Sequence, residues 1–109
     1  MVALRPVEFQ ILLALAQEER HGYAILQDTE RLAGRRLRIG PGTLYRALHR
    51  LLECGWVAEA DQRPVQAGDD ERRRYYRLTS AGRRVAANEA RRLAELVSSA
   101  RASGLLSRA

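Results

Sequence analysis

The chain has 109 residues, 46% of them hydrophobic, and a formal net charge of +6 at pH 7. This length predicts a single domain with a small core. No apolar run approaches the roughly 20 residues that a membrane span needs, which excludes an integral membrane protein. All 19 basic residues are arginines. A small basic domain has nucleic acid as its first candidate partner and an anionic membrane surface as its second.

The N-terminal residues do not have the pattern of a secretory signal, because Arg5, Pro6, Glu8 and Gln10 interrupt it. The single cysteine, Cys54, excludes a disulfide within the chain and agrees with a reducing compartment. These features predict a cytoplasmic protein with no membrane partner.

The first two helices are predicted at residues 6–18 and 22–32. Apolar side chains cover most of the circumference of the first helix, which predicts burial on more than one side. Because a small domain cannot cover such a helix alone, we expect a partner subunit to contact it. Gly34 ends the second helix, and alternating arginine and aliphatic residues at 35–39 predict a short strand.

A third helix is predicted between Gly40 and Gly55. Pro41 suits a first helical turn, and Gly55 suits the left-handed position that follows a last turn. Leucines at helical spacing define one apolar face. The opposite face and its flanks carry basic and hydrogen-bonding side chains, namely Thr43, Tyr45, Arg46, His49 and Arg50.

This polar face points to DNA. Arg46 and Arg50 lie four positions apart, where like charges repel, and only Glu53 is near enough to offset Arg50. The layout is typical of a helix that enters the major groove. An ordinary solvated helix surface is the alternative, and Tyr45 could instead pack at the edge of the core.

After residue 55 the hydrophobic pattern changes its period from 3.6 to 2 residues. Residues 56–60 and 73–78 are predicted to form two antiparallel strands, and the charged segment 61–72 a hairpin tip. Three helices followed by a hairpin is the order of a winged helix. The predicted fold is therefore mainly α with a small β-hairpin, a winged helix-turn-helix followed by a long C-terminal helix.

The last helix is predicted to follow an N-cap at Thr79 and to cover residues 82–103. Its apolar side chains form a narrow stripe with no partner left in the same domain, so we expect a dimer interface shared with the first helix. The predicted interface residues are Val7, Ile11, Leu15, Val85, Leu93, Leu96, Val97 and Ala100. The chain then divides into a DNA-binding domain at 1–78 and a dimerisation helix at 79–109.

Arginines outside the third helix are further candidates for DNA contact. Arg38 belongs to a basic run without acidic residues that continues into the third helix. In the wing, Arg72, Arg73 and Arg74 either reach DNA or offset the neighbouring acidic residues, and the pattern leaves both interpretations open.

Catalytic and metal-binding patterns are absent from the sequence. His21, His49 and Cys54 do not have metal-ligand spacing. No nucleophile stands beside a base, and no glycine-rich phosphate loop occurs. We therefore predict no enzyme activity, no cofactor and no metal. Cys54 is expected to pack as a small hydrophobe at the end of its helix, and His21 to steady the start of the second helix.

Three motifs occur together in a family-specific order: HGYAIL at 21–26, PGTLYRALHRL at 41–51 and RRYYRLTSAGR at 73–83. With them the chain resembles the PadR family of bacterial winged-helix transcriptional regulators over about residues 4–96. The single C-terminal helix is similar to that of the smaller PadR subgroup.

The resemblance implies a homodimeric repressor on a palindromic operator. The third helix would read the major groove of double-stranded DNA, with Thr43, Tyr45 and Arg46 in the DNA-facing motif and Arg73 and Arg74 on the wing. It further implies a small-molecule effector, bound in the dimer interface, that releases DNA.

A winged helix can also serve as a protein-interaction module without sequence-specific DNA binding, with its arginines facing an acidic partner. Such modules usually lack a basic third helix, so Arg46 and Arg50 favour DNA. Binding to promoter fragments at two salt concentrations separates the two hypotheses.

Overall fold

A computed structural model of the protein describes residues 4–17, 20–21, 24–25, 27, 40–60 and 74–107. The elements in chain order are α1 (Pro6–Leu15), β1 (Arg20–His21), α2 (Pro41–Glu53), β2 (Val57–Glu59), β3 (Tyr75–Leu78) and α3 (Ser80–Ala102). Helix α2 is the third helix of the sequence prediction. Most of the predicted second helix, the predicted strand at 35–39 and the hairpin tip lie outside the described residues. Ala24, Ile25 and Gln27 are helical, as predicted.

The core lies between α1, α2 and the sheet. Leu44, Leu48 and Leu51 follow one another along a single face of α2 and are fully buried. Ile11 and Leu12 of α1 are fully buried in the same cluster. Residues three and four apart share one face of a helix, so burial of the leucines leaves the opposite side of α2 at the surface.

Helix α2 begins at Pro41, and its last turn is followed by the left-handed residue that its sequence predicts. Gly55 has φ 76°. Its N–H donates to the carbonyl of Leu52 at 3.1 Å, and the N–H of Trp56 donates to the carbonyl of Leu51 at 3.1 Å. Glycine takes this φ without the Cβ penalty of other residues, and the two hydrogen bonds satisfy the last carbonyls of the helix.

The predicted hairpin is present and belongs to a three-stranded sheet. β2 and β3 are antiparallel, with Glu59 opposite Tyr76. β1 pairs with the other side of β3, with Arg20 opposite Tyr76, so β3 is the central strand. The sequence does not predict β1, since two residues are too few for an alternating pattern and the pairing is between distant parts of the chain.

The start of α3 is tied to the end of α2. Thr79 is the N-cap, as predicted: its Oγ1 accepts from the N–H of Gly82 at 3.0 Å. The same hydroxyl donates to the carbonyl of Gly55 at 2.7 Å. Gly82 is buried, and a Cβ there would lie 2.0 Å from the carbonyl oxygen of Trp56. The first turn of α3 therefore crosses this backbone too closely for any side chain at position 82.

The first turns of α3 pack against the other described elements. The helix packs against α1, and Ala86 packs against the core. Arg83 Nη2 donates to the carbonyl of Ala16, just after α1, at 3.2 Å. The expectation that this helix has no partner in its own domain is therefore wrong for its first turns. Farther along, Leu96 is 54% exposed and Val97 is 38% exposed.

Helix α3 ends by the same geometry as α2. Gly104 has φ 85°, and the N–H of Leu105 donates to the carbonyl of Ala100 at 2.9 Å. Leu105 and Leu106 after it are exposed. None of the helices in the described ranges has the length and apolar character to cross a membrane.

Candidate nucleic-acid interface

The candidate site is the solvent face of α2, opposite its buried leucines. Thr43, Arg46 and His49 are exposed. They lie three positions apart, so they follow one side of the helix. Arg46 Nη2 donates to Thr43 Oγ1 at 3.3 Å. Among the residues that the structure describes, no carboxylate pairs with Arg46.

The guanidinium of Arg46 lies over the first turn of α2. A Cβ at Gly42 would lie 3.5 Å from Arg46 Nη1. First-turn N–H groups have no acceptor within their own helix, and the helix dipole places partial positive charge at that end. Together with the Thr43 hydroxyl, this end of α2 offers donors and positive charge to a phosphate or to the acceptor edge of a base.

Tyr45 lies beside this face, and its side chain is half-buried. It packs against the core cluster. The ring thus helps to hold α2 on the domain, which is the core-edge position considered from the sequence. Contact between Tyr45 and DNA stays a prediction.

His49 lies on a groove of about 250 Å³ between the second half of α2 and the sheet. The other residues that line this groove are Leu52, Glu53, Glu59, Arg74 and Tyr76. Arg74 Nη1 donates to Glu59 Oε1 at 3.0 Å, and both side chains are partly exposed. Arg74 therefore offsets an acidic residue of the adjacent strand, whereas the sequence pointed to acidic residues of the hairpin tip. Arg38, Arg72 and Arg73 lie outside the described residues.

Arg50 does not share the open face with Arg46. Its guanidinium forms an ion pair with Glu8 of α1, which is fully buried, and the Arg50 side chain is 30% exposed. The hydrogen bond with Glu8 raises the pKa of Arg50 above its ordinary value. The prediction that only Glu53 is near enough to offset Arg50 is therefore wrong.

Glu8 is the important residue that the sequence does not reveal. Its Oε1 accepts from the backbone N–H of Arg5 at 2.7 Å, and its Oε2 accepts from Arg50. A glutamate three positions after the N-cap of a helix is a recognised local signal, since it can accept from the N-cap N–H. Its partner lies 42 positions away, so only the packing of α1 on α2 brings the two together.

Two of the predicted dimer-interface residues are buried within the chain itself. Ile11 and Leu15 are 0% and 3% exposed in the single chain, so they have no surface left for a partner. The exposed aliphatic residue of α1 is Leu13, at 39%, which is not among the predicted interface residues. The other predicted interface residues all keep exposed surface: Val7, Val85, Leu93, Leu96, Val97 and Ala100.

The remaining predictions concern residues that could react or bind metal. Cys54 is exposed, so the expectation that it packs as a small hydrophobe is wrong. The backbone of His21 lies in β1. A role of its side chain in steadying the start of the second helix stays a prediction. Across the described part of the chain, no three His, Cys, Asp or Glu side chains are grouped to hold a metal ion.

The chain is similar in sequence to known proteins. The transcriptional regulator Rv3488 of Mycobacterium tuberculosis is 40% identical over 90 residues, which cover 83% of this chain and 78% of that protein. The sequence model of the transcriptional regulator PadR-like family matches residues 11–88.

Solved structures show the same fold. A PadR family transcription regulator from Clostridium difficile R20291 has a TM-score of 0.69 at 22% identity, with 92% of this chain and 98% of that chain covered. Bacillus subtilis PadR in complex with operator DNA has a TM-score of 0.62 at 23% identity, with 77% and 46% covered. These likenesses establish a winged helix-turn-helix, as predicted. Together with the sequence match, they show that the chain belongs to the PadR-like family of transcriptional regulators, which are not enzymes.

Proposed function

We propose that the chain is a DNA-binding repressor that acts as a homodimer on a palindromic operator. The observation that carries the proposal is the exposed side of α2, where Arg46 and Thr43 stand opposite a fully buried leucine face. The net charge of +6 favours binding to a polyanion. Bacillus subtilis PadR, which has a similar fold, is known in complex with operator DNA. A cytoplasmic location follows from this function.

In this proposal α2 enters the major groove of double-stranded DNA. Arg46 donates to the O6 and N7 atoms of a guanine, the commonest specific contact of arginine. Thr43, at the positive end of the helix, binds a backbone phosphate. His49 is placed one turn farther along to donate to a base edge, and the wing arginines contact the flanking backbone. Bound DNA excludes polymerase from the promoter.

The dimer is formed by the second half of α3 together with α1. Leu96 and Val97 on α3 and Leu13 on α1 are exposed apolar residues that a second copy can cover. Two-fold symmetry then directs two copies of α2 to half-sites about 34 Å apart. A small molecule bound in this interface would change that spacing and release DNA. In domain terms, residues 1–78 read DNA, and the part of 79–109 beyond the first turns of α3 forms the dimer.

The test is titration of labelled fragments from the protein's own promoter region, at two salt concentrations and with competitor DNA. Arg46→Ala should weaken operator binding by about 1–3 kcal/mol and have a smaller effect on random DNA. Arg84→Ala removes the same charge from the exposed surface of α3 and serves as the matched control.

Equal losses for Arg46→Ala and Arg84→Ala would contradict the role given to α2. Salt-dependent binding that survives competitor DNA supports the repressor. If competitor DNA abolishes all binding to the operator fragment, the result would instead support a winged helix that contacts an acidic protein.

A further inference from the structure

We propose that Glu8 is a positioning residue for DNA binding, which acts through Arg50 to fix the orientation of α2 and keeps the Arg50 guanidinium away from DNA. The inference rests on the proposed DNA-binding function. It assigns to a buried carboxylate of α1 a role in a site that lies on α2.

The carboxylate is itself held in place. Glu8 is fully buried in the first turn of α1. One of its oxygens accepts from the backbone N–H of Arg5, and the other accepts from the guanidinium of Arg50. Both oxygens are therefore used, and the backbone bond fixes one of them relative to α1.

Arg50 cannot turn toward DNA without a large cost. Its departure would leave an ionised carboxylate buried without a cationic partner, and such a charge is strongly disfavoured in a protein interior. Glu8 and Arg50 are thus expected to stay paired in both free and DNA-bound protein. Arg50 then contributes no phosphate contact, although it is an arginine on the helix that reads DNA.

The ion pair gives the contact between α2 and α1 a direction that the leucine face of α2 does not give. Apolar packing is non-directional and specifies no single partner atom. A charged pair has fixed partners, and it joins the last turn of α2 to the first turn of α1. Arg46 lies one turn before Arg50. Fixing Arg50 therefore also fixes the direction in which Arg46 leaves the helix.

The variant Glu8→Gln distinguishes two explanations, because they predict opposite changes in operator affinity. Removing a negative charge from a DNA-binding domain should, by electrostatics alone, tighten binding to all DNA. Loss of positioning should instead weaken operator binding by about tenfold, even though the lost negative charge and the released Arg50 guanidinium favour binding to any DNA. Glu53→Gln removes the same charge from the exposed surface of α2 and should not weaken operator binding.

Arg50→Met tests the second half of the proposal. A lost phosphate contact reduces the slope of log K against log salt by about 1. We expect Arg50→Met to lose operator affinity about as much as Glu8→Gln, with the slope unchanged. The double variant Glu8→Met/Arg50→Met replaces the partly buried ion pair with apolar side chains and leaves no unpaired buried charge, so it should fold where a single variant does not.

All variants are compared as full-length dimers by fluorescence anisotropy on operator and random DNA over a range of salt, with the active fraction taken from stoichiometric titration. Reduced operator affinity at unchanged slope in the double variant supports the inference. A reduced slope, or Glu8→Gln binding the operator as tightly as wild type, overturns it. Failure of wild-type protein to prefer its operator, with no extra loss in Arg46→Ala, would instead overturn the proposed function.

Discussion

Replacing Leu96 with glutamate should separate the proposed dimer. Leu96 is 54% exposed on the second half of α3, beside Val97 at 38%. Leu93 and Ala100 continue the same side of the helix, and both are partly exposed. In a two-fold interface the same patch is used by both subunits, so one substitution changes two contacts.

The expected loss of dimer stability follows from the exposed fraction of Leu96. Complete burial of a leucine side chain contributes about 1.5–3 kcal/mol. About half of Leu96 remains to be covered, so each copy contributes about 0.8–1.5 kcal/mol and the dimer about 1.5–3 kcal/mol. Loss of this contribution raises the dissociation constant of the dimer by about 10- to 140-fold. The cost of burying a carboxylate in the apolar interface adds to that figure.

Sedimentation equilibrium over a range of protein concentrations measures the change. Ser98→Glu is the matched control, because it introduces the same charge two positions away, at about 200° around α3 from Leu96. Ser98 is exposed, and we expect the control to sediment as a dimer. Leu96→Glu should sediment as a folded monomer that binds a palindromic operator only weakly.

A Leu96→Glu protein with an unchanged dissociation constant would refute the interface, and so would equal dissociation by both glutamates. Deleting the chain from Arg83 onward is a poorer test. It removes the packing of Ala86 against the core and the hydrogen bond from Arg83 to Ala16, so it would destabilise the domain as well as the interface.

Two further predictions concern α3. Gly82→Ala should lower the melting temperature in circular dichroism, because a Cβ 2.0 Å from the carbonyl oxygen of Trp56 introduces strain of about 1–3 kcal/mol or more, which outweighs the roughly 1 kcal/mol that alanine gains in a helix. A raised melting temperature would contradict this. The hydrogen bond from Arg92 lowers the pKa of Glu89 below its ordinary 4.5. That pair stabilises the fold above the unfolded pKa and is lost as pH falls through the folded one. Wild-type melting temperatures should therefore fall more steeply below about pH 4.5 than those of Glu89→Gln, whereas parallel curves would count against the pair.

The sequence alone predicts the elements whose signals are local. Pro41 and Gly55 determine where α2 begins and ends, and Thr79 determines where α3 begins, because a cap or a left-handed residue acts on backbone groups within one turn. The leucine spacing of α2 identifies its buried face for a similar reason, since residues three and four apart always share a side. These features, with the three motifs, are enough to indicate the family.

Tertiary structure decides which residues meet across distant parts of the chain. β1 exists only because β3 offers it an edge, and Gly82 is required only because α3 crosses the backbone at Trp56. The apolar residues of α1 look equivalent in the sequence, but Ile11 and Leu15 are buried, whereas Leu13 is exposed. Arg46 and Arg50 also look equivalent in the sequence, but the packing of α1 on α2 places the buried carboxylate of Glu8 beside Arg50 only. Periodicity fixes the face on which a side chain lies. Its partner is decided by contacts whose members are far apart in the chain, and no local pattern encodes these.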